Sequence, residues 1–202
     1  MLQKAICFGF CVVTGLVHAE TFEPSPWQVG AGFGLTMGGD ELGSVDIYNS
    51  EGKWVQSGNI RAGRLFQFDA GARYRSLQSP WMAQITFGYH YNAANGKDMA
   101  TNTEDVSVYF SRYPLEILPS IRFDRHSLGL GFRYDFSPTA SAPSRSPVKF
   151  KDAPGGIAEY GYSPNENVTF GLRYVKIKYT LRDDESVSLE GDHVGINAKF
   201  WF

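Results

Sequence analysis

Cysteine is nearly absent: the chain has two in 202 residues, Cys7 and Cys11, both close to the N-terminus. Once that stretch is removed, neither a disulfide nor a thiolate metal site can be built. Long apolar runs are missing as well. The longest, from Ala5 to Val17, falls short of the ~20 residues that a spanning helix requires. Charge of one sign is not in excess either, with 19 Lys and Arg against 21 Asp and Glu. A nucleic-acid binder would carry a basic surplus. The sequence holds no Ser-centred elbow, no Gly-rich nucleotide loop and no paired metal motif.

What is present begins with an address. Lys4 gives a positive start, the run to Val17 is apolar, and Val17-His18-Ala19 offers a small-residue cleavage site before Glu20. Residues 1–19 therefore read as a cleaved signal peptide and 20–202 as one exported domain. Neither cysteine is placed as a lipoprotein's would be, since both lie inside the apolar run.

The exported part is rich in aromatics, with 15 Phe and 11 Tyr in the whole chain, and they recur at every second position. Period two means a strand with one apolar and one polar face. Trp27, Val29, Ala31, Phe33, Leu35 and Met37 share a face, with Gln28, Gly30, Gly32, Gly34 and Thr36 opposite. Phe66, Phe68, Ala70, Ala72 and Tyr74 repeat the pattern, as do Trp81, Ala83, Ile85, Phe87, Tyr89 and Tyr91. A fourth strand over 106–123 carries Tyr113, Leu115, Ile117, Ile121 and Phe123, but Val106, Val108 and Phe110 run out of phase with them. Pro114 and Pro119 lie within it, so a bulge or break is expected there. Leu128 to Phe136, a short strand with Ala158, Tyr160 and Tyr162, Val168 to Tyr174, and the C-terminal segment complete the set.

Eight strands result, joined by long loops at 38–58, 93–105, 138–154 and 182–192, alternating with short turns at 76–80, 124–126 and 163–167. This predicts an all-β fold: an eight-stranded antiparallel up-and-down transmembrane β-barrel, apolar outside and polar inside. Long loops would face outward and both ends of the exported chain the periplasm. A soluble eight-stranded calyx is the rival, with its apolar face turned inward.

The inward positions collect Asp69, Arg73, Arg75, Arg112, Glu116, Arg122, Arg133, Asp135, Glu159, Arg173 and Lys199. Charges in so narrow a space must pair, so a salt-bridge network filling the lumen is expected, with Asp69 shared by Arg112 and Arg133. A narrow ion path is the alternative. Inward glycines would make room for the arginines. His90 and His193 each face inward singly, without metal-ligand spacing. Paired carboxylates such as Glu116 and Glu159 could serve as acid and base, but neighbouring arginines explain both.

The last ten residues carry a resemblance. Val194, Ile196, Ala198, Phe200 and Phe202 alternate with His193, Gly195, Asn197, Lys199 and Trp201. The segment resembles the C-terminal signal of bacterial outer-membrane barrels, which implies recognition by the outer-membrane assembly machinery. The chain as a whole is similar in topology to the small OmpA/OmpX-type barrels, which implies an outer-membrane location. Gly171-Leu172-Arg173-Tyr174 is similar to the end of the outer-membrane lipid A 3-O-deacylases, whose His-x-Ser pair follows shortly after. Lys176 and Lys178 stand at those two positions here, so the resemblance implies architecture without that activity. Lipid A palmitoyltransferases and channel-bearing small barrels have an apolar upper lumen, whereas a charged one is expected here.

No catalytic residue, cofactor or metal site is assigned. The expected function is that of a non-enzymatic, monomeric outer-membrane protein with a closed lumen, serving envelope integrity or surface contacts. A lipid A-modifying enzyme with an unrecognised site and a low-conductance pore are the alternatives. Expected partners are outer-membrane lipid, lipopolysaccharide and the assembly machinery, and not nucleic acid. Lys176 and Lys178 are candidate lipopolysaccharide contacts if the phase of Val168 to Tyr174 continues, which puts them about 20 and 25 Å above the strand's start. A bulge near Tyr174 would instead turn Val175, Ile177 and Tyr179 outward.

Overall fold

The computed structural model describes residues 25–48, 54–98, 103–141 and 146–202. The expected signal peptide lies outside them. Twelve strands occur among the described residues: β1 (Trp27–Gly38), β2 (Glu41–Tyr48), β3 (Trp54–Arg61), β4 (Leu65–Arg75), β5 (Trp81–Asp98), β6 (Thr103–Phe123), β7 (His126–Ser141), β8 (Val148–Lys149), β9 (Ala153–Asn165), β10 (Val168–Thr180), β11 (Ser188–Glu190) and β12 (His193–Trp201). Eight of them, β1, β4, β5, β6, β7, β9, β10 and β12, pair antiparallel in that order. β12 pairs back onto β1, from Gly30 opposite Trp201 to Gly38 opposite His193, and so closes the barrel. Closure leaves no free edge along the wall.

The outer face is apolar as the alternation predicts. Phe33, Phe68, Phe87, Leu130 and Ile196 are all exposed there, while Gln67, Arg133 and Arg173 point inward and are buried. The calyx alternative requires the opposite arrangement. Ala198 also points outward, yet its small side chain is buried. Aromatic residues ring both ends of the wall. Trp27 packs on Tyr74 near the short turns, and Tyr89 packs on Tyr113 near the long loops.

Several expectations change in the upper half. The long loops are partly strand: β2 and β3 form a hairpin within 38–58, β5 and β6 extend into 93–105, β8 adds to β7 within 138–154, and β11 pairs with β10. The strand around Tyr160 is not short, since β9 spans 13 residues. Two loops are tied together where Lys151 meets Glu185 at 2.5 Å. The Lys151 ammonium, by hydrogen bond and charge, holds the Glu185 carboxyl below the usual range.

β6 keeps its phase from Val108 to Phe123. Phe110 faces inward on the same side as Arg112 and Glu116 and is fully buried. Its two prolines are accommodated by parity. Pro114 and Pro119 are five apart, so their missing N–H groups belong to opposite neighbours. The β5 ladder skips from Leu115 to Arg112, and the β7 ladder skips from Ile117 to Ser120. Each proline interrupts one ladder. The bulge lies across the way, on β7, where Ser137 takes φ +48° and its N–H donates to Asp152 at 2.8 Å.

β10 likewise runs without a break at Tyr174. Its register shift lies between Val168 and Phe170, so Lys176 and Lys178 point outward and Val175, Ile177 and Tyr179 inward. With Phe110, Phe150, Ile157, Ala153, Ile60 and Ala62, these three form a buried apolar cluster, chiefly at the long-loop end. The interior is therefore layered, charged in the middle and apolar above. The expectation of a lumen charged throughout is corrected.

Candidate functional site

The charged layer is assembled by strand parity. Inward positions of β6 (Arg112, Glu116), β7 (Arg133, Asp135), β9 (Glu159), β10 (Arg173) and β12 (Lys199) converge from different walls at similar depth. Their side chains meet in one chain of bonds. Tyr179 donates its hydroxyl to Asp135 at 2.5 Å. Asp135 accepts from Arg133 Nε at 2.7 Å and pairs with Arg112 at 3.2 Å. Arg133 donates to Glu116 at 2.8 Å and to Gln67 at 2.9 Å. Glu116 pairs with Arg173 at 3.1 Å, Arg173 with Glu159 at 2.6 Å, and Glu159 with Lys199 at 3.3 Å. Lys199 then donates to Gln84 across the barrel at 3.0 Å.

Burial decides what these contacts mean. Every side chain in the chain of ion pairs from Asp135 to Lys199 is 3% exposed or less. Buried ions lose several kcal/mol of hydration each, and only close pairing offsets that. With Asp69, which is buried on the same inner face, four carboxylates stand against Arg112, Arg133, Arg173 and Lys199. The layer is charge-balanced, and each of its four cations has a carboxylate within 4 Å.

Arg112 is the least satisfied member. Its Nε lies near Asp135 without hydrogen-bond geometry, and its Nη1 has no partner. Two aromatic faces share its charge, Phe110 at 4.9 Å and Tyr179 at 5.7 Å. The apolar cluster thus begins where the ion network ends.

Glycines make the space. A Cβ at Gly32 would lie 2.9 Å from both Asp69 Oδ1 and Lys199 Cγ, and one at Gly171 would lie 2.6 Å from Asn197 Oδ1. Asn197 uses that room to donate to Glu159 at 3.1 Å.

The eleven charged positions separate into two groups. Asp69, Arg112, Glu116, Arg133, Asp135, Glu159, Arg173 and Lys199 share the middle layer. Arg73, Arg75 and Arg122 gather at the short-turn end, away from it. There Arg73 bonds Gln28, Thr169 and the Glu166 carbonyl and lies 4.5 Å over the Trp201 ring. Arg75 pairs with Glu166, and Arg122 donates to the Ser76 and Ser79 carbonyls. Asp69 is not the carboxylate that Arg112 and Arg133 share; Asp135 is, because it follows Arg133 at the next inward position of β7.

The two inward histidines are not separate. His90 and His193 rings lie 5.3 Å apart, with His90 held by Thr36 at 2.9 Å and by Arg112 at 2.8 Å. Strand spacing could not reveal this, because it depends on which strands become neighbours across the lumen. Among the described residues no group of three His, Cys, Asp or Glu could hold a metal ion. Each of the two glutamates already binds two cations, so the layer offers no free acid and base pair facing a cleft.

No protein-family model matches the chain, and no curated protein matches it. Among solved structures it is similar to Neisserial surface protein A (NspA), at 14% identity over 88% of this chain and 98% of the other, with a TM-score of 0.49. Ail, the attachment invasion locus protein of Yersinia pestis, was solved with the heparin analogue sucrose octasulfate. It is similar at 13% identity over 87% of this chain and 97% of its own, with a TM-score of 0.45. The outer membrane protein AlkL is similar at 16% identity over 92% and 94%, with a TM-score of 0.38. The assignment of an eight-stranded barrel rests on the strand ladders of this chain.

Proposed function

We propose that the protein is a non-enzymatic, monomeric outer-membrane barrel whose lumen is closed and whose long-loop end meets the cell's surroundings. The observation that carries this reading is the interior. A balanced ion network spans the barrel, and a buried apolar cluster lies above it. An eight-stranded barrel is narrow enough for side chains to fill, and together the two layers stand in the path that water would take through the lumen. The exposed apolar wall between two aromatic rings supports a membrane setting. Service to envelope integrity, or surface contact through the loops, is the role this reading assigns.

Orientation can be tested with single cysteines, because the exported chain would contain no other. Ser186→Cys at the long-loop end should react with a membrane-impermeant maleimide on intact cells. Asn165→Cys in a short turn should react only after lysis. The reverse labelling pattern would overturn the proposed orientation, and no membrane-associated protein at all would overturn the location.

Lys176 and Lys178 bear on the lipid partner. They point outward two and four residues beyond Tyr174, which is exposed on the same face. A lysine at the bilayer midplane would cost roughly 2–4 kcal/mol, whereas one at the rim can extend its ammonium to phosphate. The double variant Lys176→Gln/Lys178→Gln should therefore bind lipopolysaccharide more weakly while folding normally. Undiminished retention on immobilised lipopolysaccharide would remove both lysines from the contact.

The assembly machinery is the partner proposed for β12. Val194, Ile196 and Phe200 present their side chains on the outer face and Phe202 stays exposed beyond the strand end. Deleting Phe202 should slow insertion in cells and leave refolding into pure lipid nearly unchanged. Equal defects in both assays would mean that the residue serves packing alone.

A further inference from the structure

The short-turn mouth holds more positive charge than the fold uses. A cavity of about 180 Å³ opens there, lined by Arg73, Arg75, Arg122 and Arg125 against the two carboxylates of Asp124 and Glu166. That volume exceeds many times what one water needs. Arg73 is 3% exposed, and its guanidinium is held only by neutral acceptors, Gln28, Thr169 and the Glu166 carbonyl. Arg122 is anchored through Nη2 to the Ser76 and Ser79 carbonyls, while its buried Nε has no partner. The Glu166 carboxylate pairs with Arg75 at 3.1 Å, its single ion pair among the described residues, and is 71% exposed. Neither Arg73 nor Arg122 has a carboxylate within ion-pair distance among the described residues. The middle layer pairs each of its four cations with a carboxylate, so this surplus is a local departure from the rule followed elsewhere in the same barrel.

We propose that this mouth is a binding site for a soluble oxyanion of the phosphate class. Forked guanidiniums suit a tetrahedral, multiply charged group; Arg75 and Arg122 are the donors here, while Arg73, whose Nε and Nη2 are taken by Gln28 and the Glu166 carbonyl, adds charge. Backbone carbonyls and a Trp ring fix the direction of Arg122 and Arg73 before any ligand arrives, which limits the entropy lost on binding. Arg73, Met82 and Arg122 are inward positions of their strands. The cavity accordingly opens along the barrel axis and not through the lipid-facing wall, which favours a soluble anion over a lipid headgroup.

Calorimetric titration of the refolded exported chain with inorganic phosphate, in a maltoside detergent at low ionic strength, tests the assignment. The wild type should show saturable binding at one site. Arg75→Gln and Arg122→Gln should each weaken it about tenfold, the loss expected for one charge-assisted contact. Glu166→Gln, which removes a competing carboxylate and leaves the backbone carbonyl in place, should tighten it. A gain of affinity cannot come from misfolding. Absence of saturable binding to the wild type, or wild-type affinity in Arg122→Gln, would overturn the site. Repeating the titration in nanodiscs of anionic phosphatidylglycerol separates the sources. Unchanged affinity is expected, and its loss would assign the site to lipid headgroups instead of a soluble anion.

Discussion

Glu116→Ala is expected to destabilise the folded barrel by about 3–5 kcal/mol, the range for removing one partner of a buried ion pair. Glu116 is the carboxylate on which the middle layer turns. It accepts from Arg133 at 2.8 Å and from Gln67 at 3.2 Å, and it pairs with Arg173 at 3.1 Å. Alanine leaves two guanidiniums facing each other with a single carboxylate remaining to each. The unheated, fast-migrating band on a gel should then convert to the unfolded position at a clearly lower temperature than in wild type. Glu116→Gln, which keeps the volume and one acceptor, should fall between the two. In Glu116→Ala/Arg173→Met the loss should shrink, because the second change removes one of the stranded charges. Conversion of Glu116→Ala at the wild-type temperature would mean that the network does not hold the wall together at this point.

Phe110→Ala should be comparably severe, about 3–5 kcal/mol, because it empties the centre of the apolar cluster. The ring is fully buried, packs edge-on against Phe150 at 5.8 Å and Tyr179 at 5.5 Å, and lies under the Arg112 guanidinium. Its loss removes both the filling of the upper lumen and one of the two faces that share the charge of Arg112. Denaturant unfolding of the refolded barrel should show the loss, with Phe110→Leu much milder. Phe132→Ala, on the lipid-facing wall and 48% exposed, should cost clearly less. Equal costs at the two positions would contradict an interior apolar layer.

The same residues show how much of the fold was legible in the sequence. Period-two alternation needs no tertiary knowledge, so wall, strand number and the inward charges could be read directly. The apolar layer could not. Phe110 and the triplet Val175, Ile177, Tyr179 looked out of phase because apolar side chains were assigned to lipid, whereas near the long loops the inside is apolar as well. Hydropathy cannot say which side of a wall an apolar residue faces once both sides are dry. Network partners were hidden for a related reason. That Arg133 would bind Asp135 and Glu116 and not Asp69 depends on depth and on which strands face each other across the lumen. Bulge position was inferred from proline, yet the two prolines sit in β6 with one skipped pairing each, and the bulge falls on β7 at Ser137.

Ion current tests the proposed closure of the lumen most directly. Purified wild-type barrel inserted in a planar bilayer at high salt should pass no resolvable steady current. Phe110→Ala and Glu116→Ala, where they remain folded, should show brief openings. A stable, ohmic conductance through the wild type, proportional to the number of inserted barrels, would contradict the account and make the ion network the lining of a pore.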